Sequence, residues 1–467
     1  MIDKIAVKSN KKISLILIFT SLIGFSSWII TKIIRNTLAE KDLNVIIIGI
    51  DACRKDHLSC YGYNLTTTPN LSSFTNDCVL FTNAISQSPW TLPSVASFFT
   101  SCFPSVHGAT SKKKLYGIRT TIPSGVEIIS EFGLKTKAFV NAPNLAPELG
   151  FARGFDDYDY EVHRKADETI NKAIKWIEEN SEERFFLFVY LFDPHLSYAP
   201  PEQHLERLIK LSGFKYNGRL GTSFSSPPLD KVRNKEISFS DDDWTFIQLL
   251  YDAEISFVDE SCGKLFNYLK EKKIYDRSII VVMSDHGEEF RDHGGFEHGH
   301  TQYDELLNVP LMIKMPFNIK RGKIISNQVS MIDVMPTLLK MLSIRVPIIF
   351  QGESFMGLIK EGHIREERTA FSEDILYGGE IKSIRKGCFK LITTPLLDNV
   401  ELYNICRDPH EQTNLCDNEK DKVIMMKKML VSWMRFNLKL VKKLKGENLT
   451  EVDKKTIDIL KSLGYIK

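Results

Sequence analysis

Leu43-Asn44-Val45-Ile46-Ile47-Ile48-Gly49-Ile50-Asp51 decides the fold. Its β-branched run lacks the apolar–polar alternation of a half-exposed strand, so it reads as a strand buried on both faces, the kind found in parallel sheets covered by helices. The run ends on a carboxylate. Open α/β sheets bind ligands at the carboxyl ends of their strands, which makes Asp51 either a ligand-facing acid or a helix cap. Two more apolar runs repeat the pattern: Phe185 to Phe192 leads into Asp193-Pro194-His195, and Ser278 to Met283 into Ser284-Asp285-His286. Lys135 to Asn141 reads as a shorter strand, and Asp167 to Asn180 and Trp244 to Lys270 as helices. The class that follows is α/β, a large mixed, mostly parallel sheet sandwiched by helices.

Between the first two strands lies Ser88-Pro89-Trp90-Thr91-Leu92-Pro93-Ser94-Val95-Ala96-Ser97-Phe98-Phe99-Thr100. Thr91 stands where an N-cap belongs, Pro93 falls in the first turn, and Val95, Ala96, Phe98 and Phe99 supply an apolar face. A hydroxyl there faces unsatisfied N–H groups and the positive end of the helix dipole, a setting suited to an anionic ester. Asp285 and His286 at a strand end supply oxygen and nitrogen donors to one divalent cation, with Asp51 as a further carboxylate. Such a cation, Mn, Mg, Ca or Zn, would lower the pKa of the Thr91 hydroxyl and neutralise charge on an ester oxygen. His195 is placed to protonate the leaving oxygen, and His298 or His300 to hold the non-bridging oxygens. Four of the chain's 11 histidines fall between His286 and His300, a density hard to reconcile with a solvated surface. Arg54 and Asn144 are candidate substrate contacts, against a simple Arg54–Asp56 pair and a turn-forming Asn.

The 467 residues carry a net charge of +2, which gives no electrostatic case for nucleic acid. Residues 13–31 hold an uncharged apolar run, Ile13 to Ile30, about long enough for a bilayer core of roughly 30 Å. Lys4, Lys8, Lys11 and Lys12 precede it, which predicts a cytoplasmic N-terminus (1–12), a signal-anchor and an exported remainder, with a cleaved signal peptide as the rival. A linker (32–42), a catalytic α/β domain (43–365) and a C-terminal subdomain with a helical tail (366–467) follow. Glu202 to Asp243 is polar and reads as an insertion over the active edge. Ser330 to Leu342 reads as a helix with Asp333 near its start. Ala370–Ser372, Ile381–Arg385 and Cys388–Ile392 alternate like antiparallel strands. None of the eight cysteines forms a zinc pattern; Cys406 and Cys416 are close enough in sequence to pair, with buried free thiols as the alternative.

Several segments in order resemble the sulfatase family of the alkaline phosphatase superfamily: IGIDACRKDHLSCYGY, TLPSVASFFTS, LFDPHLSYAPP, SDHGEEFRDHGGFEHGHTQYDELLNVPLMI, IDVMPTLL and ELYNICRDPHEQTNL. The resemblance implies a large α/β sandwich with a smaller C-terminal α+β subdomain, metal ligation by Asp51, Asp285 and His286 with Thr91 as a further ligand, and the nucleophile position at Thr91. The family's C/S-x-P-x-R motif reads Thr91-Leu92-Pro93-Ser94-Val95 here, and the second acid after the first Asp is Ala52. A threonine cannot become formylglycine, because its Cβ already carries a methyl. In this it is similar to the phosphoethanolamine and lipoteichoic acid transferases, which use threonine. The resemblance implies a metal-dependent hydrolase or transferase of phosphate mono- or diesters acting through Thr91. The alternatives are a sulfuric ester hydrolase and a non-catalytic cell-surface binding protein. The substrate would be a small-molecule, lipid-linked or glycan-linked ester.

Overall fold

In the computed structural model the opening run becomes strand β1 (Asn44–Ile50), buried along its whole length. The structure describes residues 43–111, 114–225, 231–232, 236–361, 367–444 and 461. The other strands of the main sheet are β2 (Val79–Ile85), β3 (Lys135–Val140), β4 (Asp157–Tyr160), β5 (Phe185–Leu191) and β6 (Ser278–Ser284). After a short hairpin, β7 (Glu289–Phe290) with β8 (Phe296–Glu297), come β9 (Asn308–Lys314), β10 (Lys323–Ile325) and β11 (Val329–Ser330). The order is β10-β2-β9-β6-β1-β5-β3-β4, with β11 also on β2. Every pairing is parallel except those of β9, which runs against β2 and β6. The sheet is therefore mixed and mostly parallel, and β1 lies between the two other strands whose ends carry chemistry.

Alternate residues of the central strands feed two buried layers. Ile46, Ile48, Ile50, Leu187 and Val189 share one apolar cluster with the buried face of helix α2 (Ala166–Glu179) and with helix α3 (Asp241–Glu271). On the other face Phe188 meets the ring of Phe99 at 4.9 Å, which seats helix α1 (Thr91–Thr100) against the sheet. All of α1 is buried. The stretch expected to be a polar insertion opens with a helix, Glu202–Ser212, that buries His204, Leu205 and Leu208 in the α3 layer. Their spacing is an amphipathic stripe hidden among charged residues.

Among the strands that escape sequence reading are two of the main sheet's longest: β2 is interrupted by Thr82-Asn83, where its pairing with β9 shifts register, and β9 carries Pro310 in mid-strand. The helix expected in Ser330–Leu342, with Asp333 near its start, is α4 (Val334–Met341), which follows a tight turn at Met331–Asp333. Asp333 stands at its N-cap position without a side-chain cap bond to it; the carboxylate accepts from the Ser330 N–H at 3.0 Å, closing the capping box of the preceding turn.

The C-terminal subdomain is a four-stranded antiparallel sheet, β12 (Thr369–Ser372), β13 (Lys382–Lys386), β14 (Phe389–Thr393) and β15 (Val400–Asn404), in sequential order. Helix α5 (Lys420–Lys443) covers it through Val423, Met426, Leu430 and Trp433, and Trp433 stacks on Phe371. The described residues from Asn44 onward belong to one compact unit. The Cys406–Cys416 pair does not form; Cys406 is bonded to Cys388 and Cys416 is a free thiol. Sheet pairing decides this: Phe389 opposes Asn404, the Ile405 N–H donates to the Cys388 carbonyl at 2.9 Å, and Cys406, one residue further on, comes to a Cα separation of 5.2 Å from Cys388. The expected anchor at 13–31 and nearly all of the C-terminal tail lie outside the described residues. Among the described residues no helix is long and apolar enough to cross a membrane.

Candidate active site

The carboxyl ends of β1 and β6 bring Asp51, Asp285 and His286 together, and each is at most 1 % exposed. One ligand atom from each lies within 4.8 Å of the others. His286 Nε2 is 3.6 Å from Asp51 Oδ1 and 3.3 Å from Asp285 Oδ2. Its tautomer is fixed, because Nδ1 faces the Gly287 carbonyl at 2.8 Å and a carbonyl only accepts. Nδ1 therefore carries the proton, and the Nε2 lone pair points at the two carboxylates.

Burial, then the Asp285 charge, push the Asp51 pKa well above the usual carboxylate range. Its Oδ2 is buried without a hydrogen-bond partner. Two carboxylates crowded at a buried site with an orphaned oxygen and an aimed imidazole fit a divalent cation, which would satisfy all three at once. Asp285 is held ready by the Tyr190 hydroxyl at 2.8 Å and by the N–H groups of His286 and Ala52. Gly49 makes room for that tyrosine: a Cβ there would lie 2.7 Å from the Tyr190 ring.

Thr91 is the first residue of α1, with Trp90 at the cap position, so the expected cap lies one residue earlier. Its Oγ1 donates toward Asp51 Oδ1 at 3.5 Å and sits 3.2 Å from His286 Nε2. Ser94, one turn on, donates to the Asp285 carbonyl at 2.7 Å, and Ser86 donates to the same oxygen at 2.6 Å. These hydroxyls tie the start of α1 to the loop that carries Asp285 and His286. Sequence reading missed both, and missed Tyr190, whose only signal is a lone hydroxyl in the strand FFLFVYL.

Beyond His286 the imidazoles continue in series: His298 lies 4.3 Å from His286 and 5.0 Å from His195, centroid to centroid. His298 Nδ1 bonds Glu288 at 2.9 Å, and the Tyr198 hydroxyl donates to the other Glu288 oxygen at 3.0 Å. Glu288 is thus a further buried acid at the site that sequence reading did not select. His195 Nδ1 faces the Leu196 carbonyl at 2.6 Å, so its Nε2 is the basic nitrogen. Burial pushes its pKa down to about 3, which keeps the imidazole neutral at rest. His300 is not in this series; its Nε2 bonds Glu289 at 2.7 Å.

Arg54 does not face the crevice as a substrate contact. Its guanidinium bonds both oxygens of Asp56, both of Asp292 and the Glu288 carbonyl, which uses all its donors. The Asp56 pair weighed from sequence is part of this clamp. Asn144 is 2 % exposed in the turn after β3, and its Nδ2 has no hydrogen-bond partner, leaving a buried donor available.

The Sulfatase family model matches residues 43–344, and the model for the C-terminal part of N-sulphoglucosamine sulphohydrolase matches residues 291–435. The N-acetylglucosamine-6-O-sulfatase of Bacteroides thetaiotaomicron is 25% identical over 80% of this chain and 82% of its own. A protein solved with its substrate D-glucosamine-2-N,6-O-disulfate shares the fold with a TM-score of 0.71 at 22% identity, over 86% of this chain and 98% of that one. The phosphonate monoester hydrolase of Agrobacterium radiobacter superposes with a TM-score of 0.64 at 18% identity, over 88% of this chain and 98% of its own. With the matched stretch spanning most of the chain and carrying Asp51, Thr91, Asp285 and His286, this chain belongs to the sulfatase family.

Proposed function

We propose that this chain is a metal-dependent hydrolase of sulfuric esters on sugars that attacks with the unmodified Thr91 hydroxyl. The observation that carries the proposal is Thr91 Oγ1, buried at a helix start within 3.5 Å of Asp51 and 3.2 Å of His286. Asp51, Asp285 and His286 would hold one divalent cation, which when bound stabilises negative charge on the ester oxygens and lowers the pKa of the hydroxyl. The residues do the rest. Thr91 Oγ bonds to sulfur as the ester S–O bond breaks, and the electron pair leaves on the sugar oxygen. The threonine proton is taken up by that oxygen by way of His298 and His195, the imidazoles that hold no metal. Water then attacks the sulfated threonine, His195 Nε2 accepting one water proton and returning it to the Thr91 oxygen as sulfate leaves. Glycan esters are supported by the N-acetylglucosamine-6-O-sulfatase among the relatives.

A second reading has its own support. Thr91 cannot form the aldehyde, and a threonine oxygen suits phosphoryl transfer, so phosphate or phosphonate esters are the other candidates; a phosphonate monoester hydrolase shares the fold. The apolar run of residues 13–30 supports an exported, membrane-anchored enzyme, which fractionation of the full chain tests.

The full chain, loaded in turn with Mg²⁺, Ca²⁺, Mn²⁺ or Zn²⁺, is to be assayed on nitrophenyl sulfate, nitrophenyl phosphate, bis-nitrophenyl phosphate and nitrophenyl phenylphosphonate. Preferred turnover of the sulfate is expected. Turnover confined to phosphorus esters reverses the order of the two readings. No turnover of any ester, with no metal bound, indicates a binding protein.

A further inference from the structure

Helix α5 covers the C-terminal sheet with one face and leaves the opposite face in water. Val423, Met426, Leu430 and Trp433 form the buried side. Their helical spacing puts Ile424, Lys428, Arg435, Lys439 and Lys442 on the far side, and all five are exposed. The outward side of a surface helix needs no apolar side chains. Yet Ile424, Met425, Phe436 and Leu438 are 51 %, 47 %, 58 % and 61 % exposed after the helix has packed. Single exposed apolar residues are ordinary, whereas two pairs on one helix, about three turns apart, form a patch.

The charge on this helix is one-sided as well. It carries eight lysines and arginines against Asp421 alone, while the whole chain has a net charge of only +2. The rest of the chain is therefore net negative, and positive charge is gathered on α5. A face that serves only solubility mixes both signs, with acids spaced to pair its lysines. Among the described residues no cation of α5 has a carboxylate within ion-pair distance. Lys422 stands over the Phe389 ring and Lys427 donates to the Leu397 carbonyl, so those two belong to the subdomain. Lys428, Arg435, Lys439, Lys442 and Lys443 remain for a partner. Ile348, 92 % exposed, extends the apolar surface, since it lines one groove with Phe436 and Lys443. Glu353 and Glu367 line that groove too, so the cationic surface is the outward face of the helix and not the groove.

Cations alone would suit any polyanion. Large apolar side chains set among them select a partner that is anionic at its surface and apolar just beneath, which describes a phospholipid bilayer and neither a nucleic acid nor a soluble glycan. We propose that the outward face of α5 docks on a bilayer containing anionic phospholipids. The lysines and Arg435 meet the headgroups, Ile424, Met425, Phe436 and Leu438 enter the interface, and the helix lies along the membrane plane. This docking depends neither on which ester the crevice accepts nor on residues 13–30 being an anchor.

The test reads the face itself, so insertion elsewhere in the chain cannot imitate it. The full chain carrying Phe436→Trp is combined with vesicles of phosphatidylcholine, with or without phosphatidylglycerol, whose acyl chains are brominated. The signal is the emission gained over the chain with Phe436. With phosphatidylglycerol at low salt, bromine should quench that emission at least about twofold; without it, or in high salt, the quenching should fall away. Lys439→Gln combined with Lys443→Gln should lower the quenched fraction at least about fivefold while leaving the thermal midpoint in place, since both side chains are exposed. No quenching in the anionic vesicles overturns the proposal, as does quenching indifferent to both lipid charge and the lysine pair. Emission that responds to heparin or DNA and to no vesicle also overturns it, and assigns the face to a soluble polyanion.

Discussion

Thr91 is a residue whose oxygen, rather than its packing, carries the argument. Removing that oxygen in Thr91→Ala should lower kcat by at least about a thousandfold, since nothing else at the helix start replaces the attacking atom. Metal content, measured on the purified variant, should persist because Asp51, Asp285 and His286 are untouched; undiminished turnover would remove Thr91 from the nucleophile role. Tyr190 makes a subtler case. Its hydroxyl reaches Asp285 only because β1 has glycine at position 49, and an added Cβ would press on the ring at 2.7 Å. Gly49→Ala should therefore cost about 1–3 kcal/mol by overpacking, read as a lower denaturation midpoint, and should lower turnover as Tyr190 is displaced. Tyr190→Phe should keep the stability and still lose activity. Residues at strand ends were legible in the sequence because position along a strand and chemical type coincide there. Tyr190, Ser86 and Ser94 were not, because their role depends on which strand or loop lies beside them. Arg54 shows the reverse error: a cation near the ligands invites a substrate role, and only the placement of Asp292 reveals that its donors are consumed.

At the scale of elements, the loop from Gly287 to His300 is held on its outer side by His293, whose Nδ1 bonds Glu305 at 2.7 Å and whose Nε2 meets the Glu411 carbonyl at 3.3 Å. Burial alone would lower the His293 pKa, but the Glu305 carboxylate and the Glu411 contacts outweigh it and raise the value to about 9. The sign follows from the direction. A histidine bound more tightly as the cation when folded adds stability that is complete below its unfolded pKa of about 6.5 and is lost as pH rises through about 9. His293→Gln should thus destabilise by on the order of 1 kcal/mol at pH 6, discounted for its partial exposure, and by progressively less toward pH 10. Denaturant titrations of both proteins at several pH values measure this; a difference that does not vary with pH means the contact is packing alone. The same elements show where periodicity stops informing. β1, β5 and β6 were readable because uninterrupted apolar runs have few other homes, whereas β9 hides behind Pro310 and β2 behind its bulge. Helix Glu202–Ser212 was masked by charge on its outer face.

Across the whole molecule, the main sheet and the C-terminal sheet are joined at one crevice, because the Asp374 to Tyr377 loop bonds both Trp90 at the start of α1 and Gly299. The α/β class was legible from short-range pattern, but this coupling was not, since it joins Trp90 to Asp374 across most of the chain. The disulfide failed for the same reason: proximity in sequence favoured Cys416 as partner, and ladder register selected Cys388. That bond closes the β14–β15 hairpin on which the C-terminal sheet depends, so its loss should be felt at the active site by way of the subdomain. Cys388→Ser should lower stability by about 3 kcal/mol, the loop-closure value for a span of this size, and should bring thermal inactivation to a lower temperature while activity at 20 °C persists. Reductant should shift the wild-type inactivation curve onto that of the variant. Cys416→Ser should leave the curve where it is, with or without reductant, because that thiol is unbonded. If Cys416→Ser instead reproduced the loss and Cys388→Ser did not, the pairing in the hairpin would be wrong, and the C-terminal sheet would be held by a bond that its register does not place.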